Sequence, residues 1–405
     1  MSTAPDAARP DAARPDVARP DTARPDVVGP VPRVAVVGAG LMGAGIAQVF
    51  VTAGLPVAIY DTDPAALGSV RSRVAEGLDL LQIPNENPLQ LLTTAGVLTE
   101  AVLRADMVIE AAAERLAVKQ AIFAELDRVA PPHAVLASNT SAIPIRDITS
   151  GLRRRQRVIG THFWNPPYLV PLVEVVQAAA SDLAAVDWAM ALLDRIGMKP
   201  VHVAADVPGF VGNRLQHALK REAIALVANG VCTAETVDTV TRFGFGRRLG
   251  IVGPLEQSDL TGLELTLAIH ETLIPDLDRT PGPHPLLVEK VRRGETGAAA
   301  GRGFRDWAPG EAEARRAEIS RDLADQARRA ANQPPRVADQ APRVADQVPR
   351  AADQVPRAAD QAPRAADQVL RAANQPIQAA DQSPQSQPPQ GRPPPGPAPV
   401  DNQYQ

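Results

Sequence analysis

The chain has 405 residues, a formal net charge of −4 and a pI near 5.9, and this balance does not favour nucleic acid or an anionic membrane surface as a partner. Its single cysteine, Cys232, excludes an internal disulfide and indicates a reducing compartment such as the cytoplasm. No stretch reaches the roughly 18 apolar residues of a membrane span, and the N-terminus lacks the apolar core of a signal peptide. We therefore expect a soluble, cytoplasmic protein.

Repetitive segments flank the part of the chain that has the composition of a folded protein. Residues 6–30 are five copies of a pentamer that ends in proline, and residues 329–384 are eight copies of a heptamer of the type Arg-Ala-Ala-Asp-Gln-Val-Pro. The prolines interrupt a helix, and the heptamer lacks the two large apolar positions of a coiled coil. Alternating Asp and Arg leave these segments nearly neutral, unlike basic arms that bind nucleic acid. We expect disordered tails over 1–31 and 326–405.

A glycine-rich turn follows the first predicted strand, which spans residues 33–37. The turn reads Gly38-Ala39-Gly40-Leu41-Met42-Gly43, and helical periodicity follows it to residue 52. In a dinucleotide-binding fold, Gly38 permits the tight turn, Gly40 lets the backbone approach a pyrophosphate, and Gly43 lets the helix pack closely on the strand. A glycine turn without a ligand is the alternative. The strand and helix on either side favour a cofactor site at the helix N-terminus, where free N–H groups attract an anion.

An acidic residue ends the next predicted strand, residues 57–60. This residue, Asp61, lies 23 positions after Gly38, as expected for a carboxylate that binds the adenosine ribose hydroxyls. Its charge would repel a 2′-phosphate. The sequence therefore predicts NAD rather than NADP as the cofactor, bound at Gly38, Gly40, Leu41, Met42, Gly43 and Asp61.

The pattern of strands and helices predicts two domains between the tails. After a helix and a loop over 64–99, strand patterns at 106–110, 134–137, 158–163 and 201–203 alternate with helices. Such alternation is typical of a doubly wound, mainly parallel sheet, here a Rossmann domain over 32–205. After Pro208-Gly209 only helical spacing recurs, at 211–229, 234–242, 256–274 and 284–293. We expect a second, all-helical domain over 206–325.

A histidine and a glutamate lie twelve residues apart, on either side of a turn stiffened by prolines. The pair is His162 and Glu174; a strand-like run at 157–160 leads into the turn, and a run at 172–176, which contains Glu174, leads out. A carboxylate that fixes the tautomer of a histidine and stabilises its protonated form produces a general base that works near neutral pH. A packed histidine beside an edge-strand glutamate is the alternative. His162 is expected at the end of a strand that faces the glycine loop, and Ser138–Ser141 are expected at the end of another such strand. This shared position favours catalysis.

These residues resemble the 3-hydroxyacyl-CoA dehydrogenase family over roughly residues 33–307. The motifs that carry the resemblance are the glycine loop with Met42, Glu110 to Lys119, Ser138–Ser141, His162–Asn165 with Glu174, Pro208-Gly209-Phe210 with Asn213-Arg214, Gly253-Pro254-Leu255 with Asp259–Leu263, and Gly301–Phe304. The resemblance implies NAD-dependent oxidation of an L-3-hydroxyacyl-CoA to the 3-ketoacyl-CoA, in fatty acid metabolism. It also implies a homodimer formed through the helical domain.

The resemblance implies a role for each matched residue. His162 would remove the hydroxyl proton, and Glu174 would orient it. Ser141 and Asn213 would hydrogen-bond the substrate oxygens. Glu114, Lys119 and Asn165 would help to position the cofactor, and no metal is implied.

Three departures from the family pattern leave the His162 and Glu174 pair untouched, so the chemistry is better supported than the substrate. Residues 64–105 contain no lysine, although relatives often have a lysine-rich helical pair there that contacts CoA. Trp164 and Pro166-Pro167-Tyr168 resemble relatives that oxidise carnitine, gulonate or pyridine-ring substrates. Arg305 replaces a tyrosine, and Ala299 stands where a cofactor-facing lysine is common. The alternatives are therefore a dehydrogenase of a hydroxy substrate without CoA, and a non-catalytic structural relative or scaffold whose repeats recruit partners.

Overall fold

A computed structural model of the protein describes residues 31–331. Within that range one sheet of eight strands runs in the order β3-β2-β1-β4-β5-β6-β7-β8. The strands are β1 (Val34–Val37), β2 (Val57–Tyr60), β3 (Leu92–Ala95), β4 (Met107–Glu110), β5 (Val135–Ser138), β6 (Val158–Phe163), β7 (Leu172–Val176) and β8 (Lys199–Val203). Of the tails expected over 1–31 and 326–405, residues 1–30 and 332–405 lie outside the described range.

Helices cover both faces of the sheet. They are α1 (Leu41–Thr52), α2 (Pro64–Gly68), α3 (Val70–Leu81), α4 (Glu86–Gln90), α5 (Leu98–Val102), α6 (Leu116–Val129), α7 (Ile145–Ile148) and α8 (Leu183–Arg195). One apolar cluster lies between the sheet and α1, α3 and α8, and a second lies on the opposite face with α5, α6 and α7. Burial on both faces explains why the strands are β-branched runs rather than alternating patterns. The predicted doubly wound, mainly parallel sheet is confirmed.

One pair of strands departs from the parallel arrangement, and it carries the histidine and the glutamate. β6 and β7 are antiparallel, with His162 opposite Glu174 in the register, whereas β7 and β8 are parallel again. Antiparallel strands can be joined by a short turn, whereas a parallel pair needs a long crossover. The proline-rich turn of residues 164–171 makes this short connection, and it therefore determines that the two side chains are cross-strand neighbours.

The region 64–99 contains more regular structure than a helix and a loop. β3 adds an edge strand that pairs with β2, and three helices surround it. Sequence periodicity missed β3 because the strand has four residues, of which Thr93 and Thr94 are exposed. An edge strand receives its hydrogen bonds from its neighbour, so its own apolar signal can be weak.

After Phe210 the described chain is helical apart from isolated bridges. The helices are α9 (Gly212–Ala228), α10 (Ala234–Phe243), α11 (Gly246–Leu249), α12 (Pro254–Thr261), α13 (Leu263–Leu273), α14 (Pro285–Arg292) and α15 (Glu311–Ala331). The helix expected over 256–274 is two helices, α12 and α13, because Gly262 lies between them with φ of 95°. Helices α10–α14 contain no buried residue in the described chain.

Helix α15 was not predicted, and it moves the end of regular structure beyond residue 325. It reaches Ala331, so residues 326–331 are helical rather than part of a tail. The helix packs on α3: Ala324 is fully buried, and Arg328 donates to the carbonyl oxygen of Leu80 at 2.8 Å. Its Arg and Ala content continues into the repeats, so composition alone does not separate the helix from them.

The described part of the chain, residues 31–331, has no helix that is both long enough and apolar enough to cross a membrane.

Candidate active site

The glycine loop has the geometry that close approach by a ligand requires. Gly38 has φ of 108°, and a Cβ there would lie 2.6 Å from the carbonyl oxygen of Ala111. A Cβ on Gly43 would lie 1.8 Å from the carbonyl oxygen of Gly38, so only glycine lets α1 begin this close to the turn. In contrast, a Cβ on Gly40 would meet nothing within 4 Å. The space beside Gly40, at the uncapped start of α1, is therefore open to an anion.

Asp61 connects this loop to the end of β2. Its Oδ2 accepts from the Ala39 backbone N–H at 2.7 Å, and its Oδ1 accepts from the Asp63 N–H at 2.9 Å. Each carboxylate oxygen has a second lone pair, so the side chain can still accept from ribose hydroxyls. Asp61, Gly38 and Gly40 line a cavity of about 160 Å³ together with Tyr60, the alanines that follow β4 and apolar residues of α6. These residues fit the adenosine and pyrophosphate of NAD.

The predicted pair of His162 and Glu174 is formed. His162 Nδ1 lies 2.8 Å from Glu174 Oε2, and the two residues are 5% and 1% exposed. Because the glutamate occupies Nδ1, that nitrogen carries the proton and Nε2 of the neutral ring keeps its lone pair. The rings of Trp164 and Phe210 lie 5.7 and 5.8 Å from the imidazole, measured between centroids. The pair is thus enclosed by aromatic side chains.

Glu174 accepts hydrogen bonds at both of its oxygens. Oε2 also accepts from the Trp164 indole N–H at 3.4 Å, while Oε1 accepts from the backbone N–H groups of Val211 at 2.9 Å and Gly212 at 3.0 Å. Burial raises the pKa of this carboxyl, but the hydrogen bonds from His162, Gly212 and Val211 outweigh it, and the pKa is lowered. Glu174 is therefore an anion at neutral pH.

Ser141 and Asn213 come together across the boundary between the domains. Asn213 Nδ2 donates to the carbonyl oxygen of Ser141 at 3.0 Å. Ser141 is exposed and Asn213 is half-buried, so both can reach a ligand. Asn139, two residues before Ser141, is buried, and its Oδ1 accepts from the Phe163 N–H at 2.9 Å. This bond ties the Ser141 loop to the strand that carries His162.

Lys119 lies inside the protein rather than in an open cofactor site. Its Nζ is 2.8 Å from Glu110 Oε1 and 3.2 Å from Glu114 Oε2, and the side chain is 1% exposed. Glu110, which is fully buried, also accepts from the Ser138 hydroxyl at 2.6 Å. This burial leaves the Lys119 ammonium in contact with the two glutamates rather than with an open cleft, and its part in positioning the cofactor stays a prediction. The ammonium group forms ion pairs with Glu110 and with Glu114, and Glu114 also binds the Ser141 loop.

Glu114, which is paired with Lys119, binds the Ser141 loop through its other carboxylate oxygen. Its Oε1 accepts from the Thr140 hydroxyl at 2.6 Å and from the backbone N–H groups of Ser141 at 2.9 Å and Ala142 at 3.2 Å. Partial burial raises the pKa of the Glu114 carboxyl, but the bond from Thr140 and the charge of Lys119 outweigh it, so the pKa is lowered. Asn165, the other expected cofactor residue, is exposed in the turn after β6.

Several contacts of the site were outside the reach of sequence reasoning. Trp164 was noted only as a substrate-related departure, yet its indole donates to Glu174. The hydrogen bonds from the backbone N–H groups of Val211 and Gly212 could not be predicted, because they do not depend on the type of side chain. Glu110 could have been noticed as an acid that ends a buried strand, because such a group needs an internal partner.

Together these groups can remove a proton from a bound hydroxyl and stabilise the charge that develops. The neutral His162 ring accepts the proton, and the Glu174 anion stabilises the imidazolium that results. Ser141 and Asn213 provide polar groups near the cleft between the domains. The glycine loop and Asp61 provide a dinucleotide site on the same edge of the sheet, at the carboxyl ends of the parallel strands.

Two family models match the chain. One is described as 3-hydroxyacyl-CoA dehydrogenase, NAD binding domain, and covers residues 33–207. The other is described as 3-hydroxyacyl-CoA dehydrogenase, C-terminal domain, and covers residues 209–307. The predicted family and NAD as cofactor are thereby confirmed.

Similar proteins differ in their substrates. The probable 3-hydroxybutyryl-CoA dehydrogenase of Bacillus subtilis is 40% identical over 272 residues, 65% of this chain and 93% of the relative. The 5-formyl-3-hydroxy-2-methylpyridine 4-carboxylate 5-dehydrogenase of Mesorhizobium japonicum is 34% identical over 290 residues, 69% of this chain and 92% of the relative. A solved structure of an enzyme of the latter name, an NAD+-dependent dismutase, has a TM-score of 0.70 and 31% identity, covering 75% of this chain and 100% of that chain.

Proposed function

We propose a reaction for a chain that belongs to the 3-hydroxyacyl-CoA dehydrogenase family, whose members are NAD-dependent oxidoreductases acting on CH–OH groups. The reaction is oxidation of an L-3-hydroxyacyl-CoA to the 3-ketoacyl-CoA, a step of fatty acid metabolism. The observation that supports it best is the buried contact of 2.8 Å between His162 Nδ1 and Glu174 Oε2, which leaves Nε2 as a base. The 40% identity to the Bacillus subtilis relative supports the acyl-CoA substrate.

In the proposed mechanism His162 Nε2 takes the proton of the substrate hydroxyl. Glu174 keeps the ring in the required tautomer and stabilises the imidazolium. The Ser141 hydroxyl and the Asn213 amide hydrogen-bond the substrate oxygens as the carbonyl forms. NAD, when bound, supplies the acceptor of the hydride that leaves the carbon.

The cofactor would be held by residues of the N-terminal domain. Gly38, Gly40 and Gly43 give the pyrophosphate access to the first turn of α1, where Leu41 is 64% exposed and Met42 follows. Asp61 would accept from the ribose hydroxyls. Asn165 would contact the cofactor from the turn after β6, while Glu114 and Lys119 would act by holding the Ser141 loop.

A screen of substrates with NAD⁺ tests this proposal. NADH formation is measured with short-chain L-3-hydroxyacyl-CoAs, L-carnitine, L-gulonate and hydroxypyridine carboxylates, in wild type and in His162→Ala. The proposal expects the highest kcat/KM for an acyl-CoA and a loss of that activity in the variant. Turnover that persists in His162→Ala would reject the assigned base, and turnover of substrates without CoA alone would reject the acyl-CoA.

A second candidate, oxidation of a hydroxy substrate without CoA, is favoured by the charges around α3. Residues 64–105 contain no lysine. Two of the arginines there already serve the fold: Arg71 donates to the carbonyl oxygen of Leu89 at 2.9 Å, and Arg73 to that of Ala39 at 3.0 Å. Few free cations therefore remain in this segment for the phosphates of CoA.

The helical domain supports a homodimer as the working form. Its helices α10–α14 have no buried residue within the described part of one chain, and several of its large apolar side chains are strongly exposed: Ile251 by 73%, Leu255 by 81% and Leu260 by 75%. A domain that leaves such a surface uncovered needs a permanent partner. A second copy is the partner that is always present at synthesis, and two-fold dimers are the commonest assembly.

Sedimentation of the purified protein tests the dimer. Leu260→Asp places a charge in this apolar surface and is expected to shift the protein towards monomer. Leu103→Asp is the matched control, because Leu103 is 61% exposed but belongs to the sheet domain. A wild-type monomer at micromolar concentration would reject the dimer.

We also propose a cytoplasmic location, which is supported by the single cysteine. A scaffold role for the repeats concerns residues outside the described range.

A further inference from the structure

The two domains meet at the carboxylate that orients the proposed base. Oε2 of Glu174 faces His162 on β6, whereas Oε1 accepts from Val211 N–H and Gly212 N–H at the start of α9. The next residue of α9, Asn213, holds the Ser141 loop. One helical turn of the second domain therefore contacts both the carboxylate behind the base and the loop in front of it.

Gly212 makes this approach possible. A Cβ at Gly212 would lie 2.3 Å from Cζ2 of Trp164 and 3.2 Å from its Cε2 and Cη2. The indole is part of the site, since its N–H points to Glu174 Oε2 at 3.4 Å. A side chain at residue 212 would therefore have to push either the indole or α9 away from Glu174.

The chain that leads into α9 has little freedom to absorb such a displacement. Gly209 and Phe210 have φ of 74° and 48°, a conformation that is uncommon for a phenylalanine. The Phe210 side chain is 1% exposed, and its ring lies 5.8 Å from that of His162. A shift of α9 would disturb this buried ring, so the position of the helix and the surroundings of the base are mechanically connected.

His162 is the titratable side chain that faces the Glu174 carboxylate. On β8, the neighbour of β7, the residue in register with Glu174 is Val201. From α9 the contacts to the carboxylate are backbone N–H groups, and from the turn after β6 the contact is the Trp164 indole. The charge balance of the pair is therefore adjusted by neutral donors, two of which belong to the other domain.

We infer that Gly212 is a positioning residue. Because it has no side chain, it leaves room for the Trp164 indole, and the helical domain can then donate hydrogen bonds to Glu174 Oε1. The docking of that domain is thereby coupled to the strength of the proposed base. This inference rests on the proposed function of His162 and Glu174. Hydrogen bonds to Oε1 draw negative charge away from Oε2. When these bonds weaken, Glu174 stabilises the imidazolium more strongly. His162 then becomes protonated at a higher pH, and the activity that depends on its neutral form is lost at that higher pH as the solution is acidified.

The inference predicts a direction that simple damage to the site does not produce. Gly212→Ala should move the acidic limb of the pH profile of kcat/KM to higher pH and reduce kcat/KM at neutral pH roughly 10–100-fold, the scale of a misplaced catalytic geometry. Damage that breaks the contact between His162 and Glu174 would instead move this limb to lower pH. Gly68→Ala is the control, since a Cβ there meets nothing within 4 Å and the residue lies in α2.

A double-mutant cycle with Trp164→Phe completes the test. Phe removes the indole atom closest to the added Cβ, so Gly212→Ala should have little effect on kcat/KM or the acidic limb in that background. Thermal melting and NADH binding, measured on all four proteins, report folding and cofactor affinity independently of turnover. If Gly212→Ala fails to fold, recovery of melting and pH profile in the double variant supports the coupling.

Two results would overturn the inference: an acidic limb of Gly212→Ala that stays in place or moves to lower pH, or an equal effect of Gly212→Ala with Trp and with Phe at residue 164. A failure of the proposed function looks different, because His162→Ala would then retain turnover.

Discussion

His162 and Glu174 are opposite each other on antiparallel strands, and their side chains meet with 2.8 Å between Nδ1 and Oε2. We predict that His162→Ala reduces kcat about 10²–10⁴-fold, the contribution of a general base, with little change in NADH affinity. Glu174→Gln keeps the shape but loses the charge that stabilises the imidazolium, so the acidic limb of its pH profile should move to lower pH. The losses should be far from additive, because the residues act as one unit.

Stopped-flow and steady-state rates of the two single variants and the double variant check this prediction. A double variant whose loss equals the product of the single losses would show that the two residues act independently.

Asp61 is predicted to determine the preference for NAD. Asp61→Ala should weaken NADH binding by about 1–2 kcal/mol, the scale of lost hydrogen bonds to a charged group. The same change frees the Ala39 N–H, to which Asp61 Oδ2 is bonded at 2.7 Å. Asp61→Asn retains an acceptor and should lose less affinity. Fluorescence titration measures both variants, and comparable kcat/KM of wild type for NADP⁺ and NAD⁺ would contradict the assignment.

Lys119 is predicted to be required for stability. Lys119→Met leaves Glu110, which is fully buried, without its cation, and removal of one partner from a buried pair costs about 3–5 kcal/mol. Arg128→Met on the same helix is the matched control, because the Arg128 side chain is 70% exposed where it pairs with Glu125 and should change little. Urea unfolding gives both free energies, and equal small losses would show that the buried charge is dispensable.

Glu114 is predicted to make part of the stability depend on pH. Its folded pKa lies below the ordinary value of 4.5, so its contribution is present above pH 4.5 and is lost as the pH falls through the folded pKa. The difference in unfolding free energy between wild type and Glu114→Gln should therefore be largest near neutral pH and shrink below pH 4.5. Urea titrations across this range check it. A difference that stays constant with pH would contradict the prediction.

Helix α15 revises the boundary of the folded part. Disordered tails over 1–31 and 326–405 would be dispensable for folding, with the folded part ending at residue 325. Because Arg328 bonds to the Leu80 carbonyl, we now expect residues 31–331 to keep the full melting temperature. A chain that ends at residue 310 should lose several degrees, about 1–2 kcal/mol for a protein of this size. Calorimetry distinguishes these outcomes, and equal melting temperatures would show that α15 adds no stability.

The local sequence determined the sheet domain, the cofactor and the pair at the centre of the site. Gly38 and Gly43 are required because a Cβ at either would clash with the backbone, Gly40 leaves space for a ligand, and Asp61 follows at the end of the next strand. His162 and Glu174 could be paired because a short turn between strands leaves few alternatives. In each case the physical constraint acts over a few residues or one strand-to-strand turn.

Tertiary structure decided what depends on contacts between distant segments. β3 exists because β2 lies beside it, and α15 is stabilised by α3 rather than by a strong apolar pattern of its own. Lys119 lies in an internal ion pair because Glu110 and Glu114 are placed around it. The residue type alone does not distinguish such a buried lysine from one in an open cofactor site. Gly212 has no side chain that would mark it in the sequence. Its importance comes from the Trp164 ring, which is 48 positions earlier in the sequence and which the fold brings against it.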